Sequence, residues 1–325
     1  MKFGELLARR GTLVADGAMG TVLFDLGLET GGCPELLNVE RPDLVEKVHK
    51  GYYEAGSDIV LTNTFGGTAT RLKLHQLQDR VAELNAAAVE IAIRAGDTIS
   101  RPTLVAGSIG PTGELYEPLG PLTREEGVRL FSEQCDALVG GGVDILWIET
   151  LSSWEELDAA VTAASGRGVP VTVTLSFDTN GHTMMGLAPK DFGAWWYNHQ
   201  IAGLGANCGI GPSDVVQAVG EIHRAAPDAI VIAKGNCGIP LYEEGQLVYP
   251  SGPEAMADYT ELALRSGATI VGACCGSGFK HIAAIRATVD AGVARGRPTP
   301  TEISDRLGEV SMPKDKPQHT RRRSP

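Results

Sequence analysis

The stretch DILWIETLSSWEELDAAVTAASGRGVPVTVTLS, residues 144–176, decides the fold. An apolar, β-rich run at 144–149 ends on Glu149. It gives way to SWEELDAAVTAASGRG, a segment of helical periodicity that stops at glycine. A second β-rich run, VTVTLS at 171–176, follows at once. Two parallel strands need a crossover of this kind. Strands that are apolar throughout suit a parallel sheet covered on both faces.

Working outward, the same unit recurs. Strand candidates are TLVAD (12–16), DIVLTN (58–63), TLVAGS (103–108), GLGAN (203–207), AIVIAKG (229–235) and TIVGA (269–273). Helical patterns alternate with them, among them PDLVEKVHKGYYEAG, with proline near its start and glycine at its end. Eight strand–helix units predict an α/β chain folded as a single-domain (β/α)8 TIM barrel over residues 1–295. An open doubly wound sheet is the alternative, but no GxGxxG turn follows the first strand. Residues 296–325 are polar and proline-rich, with three arginines near the end. They are expected to form a flexible extension, docked in part.

Composition narrows the function. With 28 Lys+Arg against 40 Asp+Glu the formal net charge is −12, which disfavours nucleic acid and anionic membrane as partners. The N-terminal stretch has charges within its apolar run and does not read as a signal peptide. No run approaches the length of a membrane helix. A cytoplasmic location is expected, where thiols stay reduced and free to hold a metal.

In a barrel of this type, chemistry sits where the strands end at their C-terminal face. Cys208 in GANCGIGP and the pair Cys274-Cys275 in GACCGSG close the sixth and eighth strand candidates, near neighbours around a closed barrel. Three thiolates on a rigid rim suit zinc, and three protein ligands leave a fourth position open for water or substrate. Cys33, Cys135 and Cys237 can equally be buried small hydrophobes, as free cysteine usually is. Glu149 ends the fourth strand beside an apolar run and needs a cation, either a substrate ammonium or a chain Lys or Arg. Asp16 and Gly17 lie in a glycine-rich turn whose free N–H groups can accept a carboxylate, although Asp16 can simply stabilise its own turn. Asn63 and Ser108 stand at the ends of strands two and three. An ammonium site and a carboxylate site beside a thiol-loving metal suggest an amino acid bearing a thiol.

DGAMGT (16–21), LTNTFGGT (61–68), GSIGPTGE (107–114), WIET (147–150), GANCGIGP (205–212) and GACCGSG (272–278) together resemble the homocysteine S-methyltransferase family. The resemblance runs from about residue 10 to about residue 290, and is strongest to short bacterial betaine–homocysteine methyltransferases. The family also includes the homocysteine domain of cobalamin-dependent methionine synthase. The resemblance implies that Cys208, Cys274 and Cys275 hold zinc, that homocysteine sulfur takes the open position, and that Glu149 binds its amino group. It also implies that the Asp16-Gly17 turn helps hold the amino-acid end, and it makes Asn236 the candidate fourth ligand when substrate is absent.

The implied reaction is methylation of homocysteine to methionine with betaine as donor. Trp195, Trp196, Tyr197 and Tyr116 are candidates for the aromatic cage that a quaternary ammonium prefers. The alternative donors are S-methylmethionine or a methyl-corrinoid, which would require a separate corrinoid protein partner. A zinc hydrolase on the same barrel is the different-class alternative, but the seven histidines show no HxH pair. Family members are often oligomeric, so a homo-oligomer is expected.

Overall fold

The computed structural model describes residues 2–243 and 246–311. Ten strands occur among them: β1 (Leu13–Val14), β2 (Ile59–Leu61), β3 (Leu104–Ile109), β4 (Ile145–Leu151), β5 (Val171–Leu175), β6 (Gly203–Cys208), β7 (Ile230–Gly235), β8 (Leu241–Glu243), β9 (Gln246–Val248) and β10 (Ile270–Ala273). Eight of them form one parallel sheet in the order β1-β10-β7-β6-β5-β4-β3-β2. A parallel bridge between Ala15 and Ile59, with the Asp58 amide donating to Val14 O, joins β1 to β2 and completes the ring. The chain is the (β/α)8 barrel expected, and each barrel strand falls on its sequence candidate. β8 and β9 form a separate antiparallel hairpin on the rim after β7, which the sequence reading did not contain.

The strand runs are apolar because they are covered twice. One set of side chains, including Leu13, Ile59, Leu104, Ile145, Trp147 and Ile232, fills the barrel interior. The other set meets the surrounding helices in the larger core. The helix Arg124–Gly141 shows the local logic. Thr123 caps its start, accepting from the Glu126 amide while the Glu126 carboxylate reaches back, and Gly142 at φ 98° ends it.

The N-terminal face of the barrel is tied by a single carboxylate. Asp58, with no exposed side-chain surface, meets Arg10 at 3.2 Å, Arg101 at 3.4 Å and Arg286 at 3.3 Å, and accepts the Val14 amide at 2.9 Å. These contacts knit the first, middle and last parts of the barrel at the end opposite the rim.

The stretch read as a polar extension begins with structure. Pro300–Leu307 is a helix capped by Thr299, which accepts from the Glu302 amide. Ile303 is buried, and Arg265 grips both oxygens of Glu302. The Ser311 amide then donates to Asp214 at 2.9 Å. The part that carries the three arginines lies outside the described residues. Among the described residues, no helix is long and apolar enough to cross a membrane.

Candidate active site

The ring of strand ends surrounds a cavity of about 1360 Å³ whose wall includes Asp16, Gly17, Ser108, Glu149, Lys234 and all three rim cysteines. Cys208 closes β6, and Cys274-Cys275 follow β10, with only β7 between those two strands. Their sulfur atoms all lie within 4.8 Å of one another, and Cys208 Sγ is 4.0 Å from Cys275 Sγ. Cys208 sits at φ 60° and Gly209 at φ 76°, a left-handed pair that turns the chain away from the strand. A non-glycine residue held there stores strain, a common mark of functional positions.

The cluster is electrostatically uneven. Hydrogen bonds from Cys274 and Cys275, with help from the Asn236 amide, pull the Cys208 thiol well below its usual range. The same contacts push Cys274 and Cys275 up. One thiolate is thus favoured, and the other two thiols must lose protons for a cation to bind. Asn236 Nδ2 lies 3.6 Å from Cys208 Sγ and donates to Gly209 O at 2.7 Å, while its Oδ1 is buried with no partner among the described residues. Three convergent soft donors with an orphaned oxygen beside them fit a thiophilic cation such as zinc.

The amino-acid end of the cavity is built from β1, β3, β4 and β7. Ser108 Oγ donates to Glu149 Oε1 at 2.5 Å. Burial pushes the Glu149 carboxyl up to about 7, against the opposing pull of Lys234. Among the described residues, no cation lies within ion-pair distance of Glu149, although the Lys234 charge is near enough to act on it. Asp16 is different. Its Oδ1 pairs with Lys234 Nζ at 2.7 Å and its Oδ2 accepts the Leu61 amide at 2.7 Å, so both oxygens are engaged. The Lys234 ammonium lies over the Trp147 ring, 5.6 Å from its centroid. Burial would lower the lysine, but Asp16 and Glu149 outweigh it and hold it raised.

Gly17 is required by space. A Cβ there would stand 2.6 Å from Ser277 Oγ and 2.9 Å from the Tyr52 ring. Ser277 Oγ in turn accepts the Ala18 amide at 3.0 Å and donates to Cys274 O at 2.7 Å, joining the β1 turn to the cysteine loop. Asn63 lines the cavity, but its Nδ2 donates to Pro34 O at 2.7 Å and to Asn38 Oδ1 at 3.0 Å, so it braces the rim loops.

The aromatic cage expected from the sequence is not assembled. Trp195 stacks on Phe192 and His199 and packs near Trp154 in the outer layer, at the end of the helix Pro189–Trp195, and does not line the cavity. Trp196 and Tyr197 follow it there. Tyr116 is on the rim side but buried, placed where a Cβ on Gly127 would strike its ring. The aromatic side chains that do reach the cavity are Phe24, Phe65 and Tyr249. The sequence reading gave no role to Lys234, Tyr249, Ser277 or Asn207. For Lys234 a signal existed, since a lysine inside an otherwise apolar strand, AIVIAKG, demands a buried partner.

Comparison with known proteins gives the family of the chain. A model of the homocysteine S-methyltransferase family matches residues 13–289. Methionine synthase of Mycobacterium leprae is 32% identical over 317 residues, covering 90% of this chain and 26% of that protein. Methionine synthase of Mycobacterium tuberculosis is 32% identical over 304 residues, covering 88% of this chain and 25% of that protein. The chain therefore spans about a quarter of the length of these curated relatives. The crystal structure of the homocysteine methyltransferase MmuM from Escherichia coli, metallated form, superposes with a TM-score of 0.75 at 25% identity, covering 87% of this chain and 98% of that one. By the extent of the family match and by the barrel it shares with MmuM, the chain belongs to the homocysteine S-methyltransferase family.

Proposed function

We propose that the protein is a zinc-dependent homocysteine S-methyltransferase that forms methionine, with betaine as the methyl donor. The observation that carries this reading is the convergence of Cys208, Cys274 and Cys275 within 4.8 Å of one another at the mouth of a cavity that also holds Glu149. Zinc held by the three thiolates would favour the ionised form of an acceptor thiol near neutral pH.

The chain's own residues supply orientation. Glu149, fixed by Ser108, accepts the substrate ammonium and loses its proton as that cation arrives. The cavity wall then aims the acceptor sulfur at the rim, where the donor enters. A carbon–sulfur bond forms as the carbon–nitrogen bond of betaine breaks, the thiol proton goes to solvent, and dimethylglycine leaves with the electron pair. Phe24, Phe65 and Tyr249 give the mouth the aromatic character that a quaternary ammonium favours.

A second donor reading, a methyl-corrinoid on a separate protein, has one supporting observation. Phe24, Leu74, Leu115, Leu119, Met184 and Ile239, all in segments that follow barrel strands, are exposed apolar side chains of the rim face. The deciding test is methionine formation by zinc-loaded protein given homocysteine with betaine, S-methylmethionine or methylcobalamin. Turnover with betaine alone supports the first reading. Turnover confined to methylcobalamin replaces it with the second, and S-methylmethionine alone overturns both. No turnover with any donor leaves homocysteine as acceptor unsupported.

A further inference from the structure

Lys234 is charged, buried and incompletely bonded. It is only 3% exposed, yet it lies on the cavity wall. An ammonium has three N–H donors. Among the described residues one finds an acceptor, Asp16 Oδ1 at 2.7 Å, and one face of the group rests on the Trp147 ring. Asp16 accepts the Leu61 amide on its other oxygen. A buried ammonium left short of acceptors is costly unless something that enters the cavity completes it.

The same wall presents the opposite deficiency at Glu149. That carboxylate accepts from Ser108 and has no cation at ion-pair distance among the described residues. The cavity thus offers one cation with donors to spare and one anion without a cation. This is the complement of a zwitterion.

We infer that Lys234 receives the α-carboxylate of the acceptor amino acid while Glu149 takes its ammonium, with Asp16 as the positioning residue that holds Lys234 in place. The inference rests on the reading of homocysteine as acceptor and assigns the recognition of its carboxylate. It makes Lys234 a specificity-determining residue, one that separates amino-acid thiols from simple aminothiols.

The test uses three thiols with the zinc-loaded enzyme and its active donor: homocysteine, 3-aminopropane-1-thiol, which lacks the carboxylate, and 4-mercaptobutanoate, which lacks the ammonium. The readouts are kcat/KM and, separately, binding by calorimetry. In Lys234→Met the preference for homocysteine over 3-aminopropane-1-thiol should fall about 100-fold, while the preference over 4-mercaptobutanoate stays within about threefold. Glu149→Gln should show the reverse pattern. Because Lys234→Met leaves Asp16 buried without its cation, the Asp16→Asn/Lys234→Met double variant, which keeps the site neutral, should give the same ratios. Equal losses for all three thiols in both Lys234 variants would overturn the inference and leave the functional reading standing. Wild-type protein that neither binds nor methylates homocysteine would overturn both.

Discussion

Asn207 and Thr150 are joined by two reciprocal hydrogen bonds: the Thr150 amide donates to Asn207 Oδ1 at 3.0 Å, and Asn207 Nδ2 donates to Thr150 Oγ1 at 2.7 Å. Each residue adjoins a site residue, Glu149 before Thr150 and Cys208 after Asn207. Thr150 at φ 66° and Cys208 at φ 60° are both left-handed, so this buried amide fastens two strained strand ends to each other. It bridges β4 and β6 across β5, which lies between them in the sheet.

Asn207→Ala should therefore cost about 2 kcal/mol of stability, through the loss of two buried hydrogen bonds and the release of Thr150. Urea unfolding measures it. The KM for homocysteine should rise about tenfold as Glu149 loses its fixed backbone, with kcat changed less. An unchanged KM in a destabilised variant would separate the brace from the substrate site.

Cys208→Ser should abolish stoichiometric zinc, and Cys275→Ser should do the same. Cys135→Ser, altered inside the outer helix Arg124–Gly141, should keep it. Metal content by mass spectrometry decides the matter. Removing the metal with a chelator should leave far-ultraviolet circular dichroism intact, since the barrel is closed by backbone pairing and not by the thiols.

Burial raises Glu149 from 4.5 to about 7 in the folded chain. An acid raised on folding holds its proton more tightly in the native state, so stability falls as pH rises from the unfolded value to the folded one. Metal-free wild-type protein should lose stability from about pH 4.5 to about pH 7 relative to Glu149→Gln, and the difference should level off above that window. Melting temperatures of the two proteins across this range test the sign. A wild-type protein that gains stability relative to Glu149→Gln as pH rises would contradict it.

Asp58 is the single carboxylate to which Arg10, Arg101 and Arg286 converge. Asp58→Ala should cost about 3 kcal/mol, because three partly buried guanidinium groups lose their common counter-charge. Turnover per folded molecule should be retained, since this cluster lies at the barrel end opposite the cavity. Denaturant unfolding together with active-site titration separates the two effects.

The barrel was legible because each of its strands is a short, continuous apolar run closed by a polar or small residue, and parallel strands buried on both faces must read that way. The thiol cluster was legible for a related reason, since cysteines at the ends of β6 and β10 converge once the sheet order is known. Lys234 was harder, because in AIVIAKG it reads as the polar end of a strand and only the closed ring brings it to Asp16. The Asn207–Thr150 brace joins residues far apart in the chain, and no local pattern announces it. Composition misdirected the reading at one place. Trp195 and Trp196 look like a cage in sequence but belong to outer packing. The helix Pro300–Leu307 is polar enough to read as extension, although Thr299, Pro300 and Glu302 carry a helix-start signature.

The two-residue β1 pairs with β10, Leu13 opposite Ile270. On the ribosome, the first barrel strand must wait for the last. Until residue 270 emerges, the sheet has an open seam, and until Cys275 follows it the thiols cannot meet. At roughly 5–20 residues per second this wait lasts on the order of tens of seconds. A long waiting edge would invite pairing with other nascent chains, and the brevity of β1 keeps it a poor template. Loading of the proposed metal would therefore be a late event of synthesis, open only to a chain that has already closed on itself.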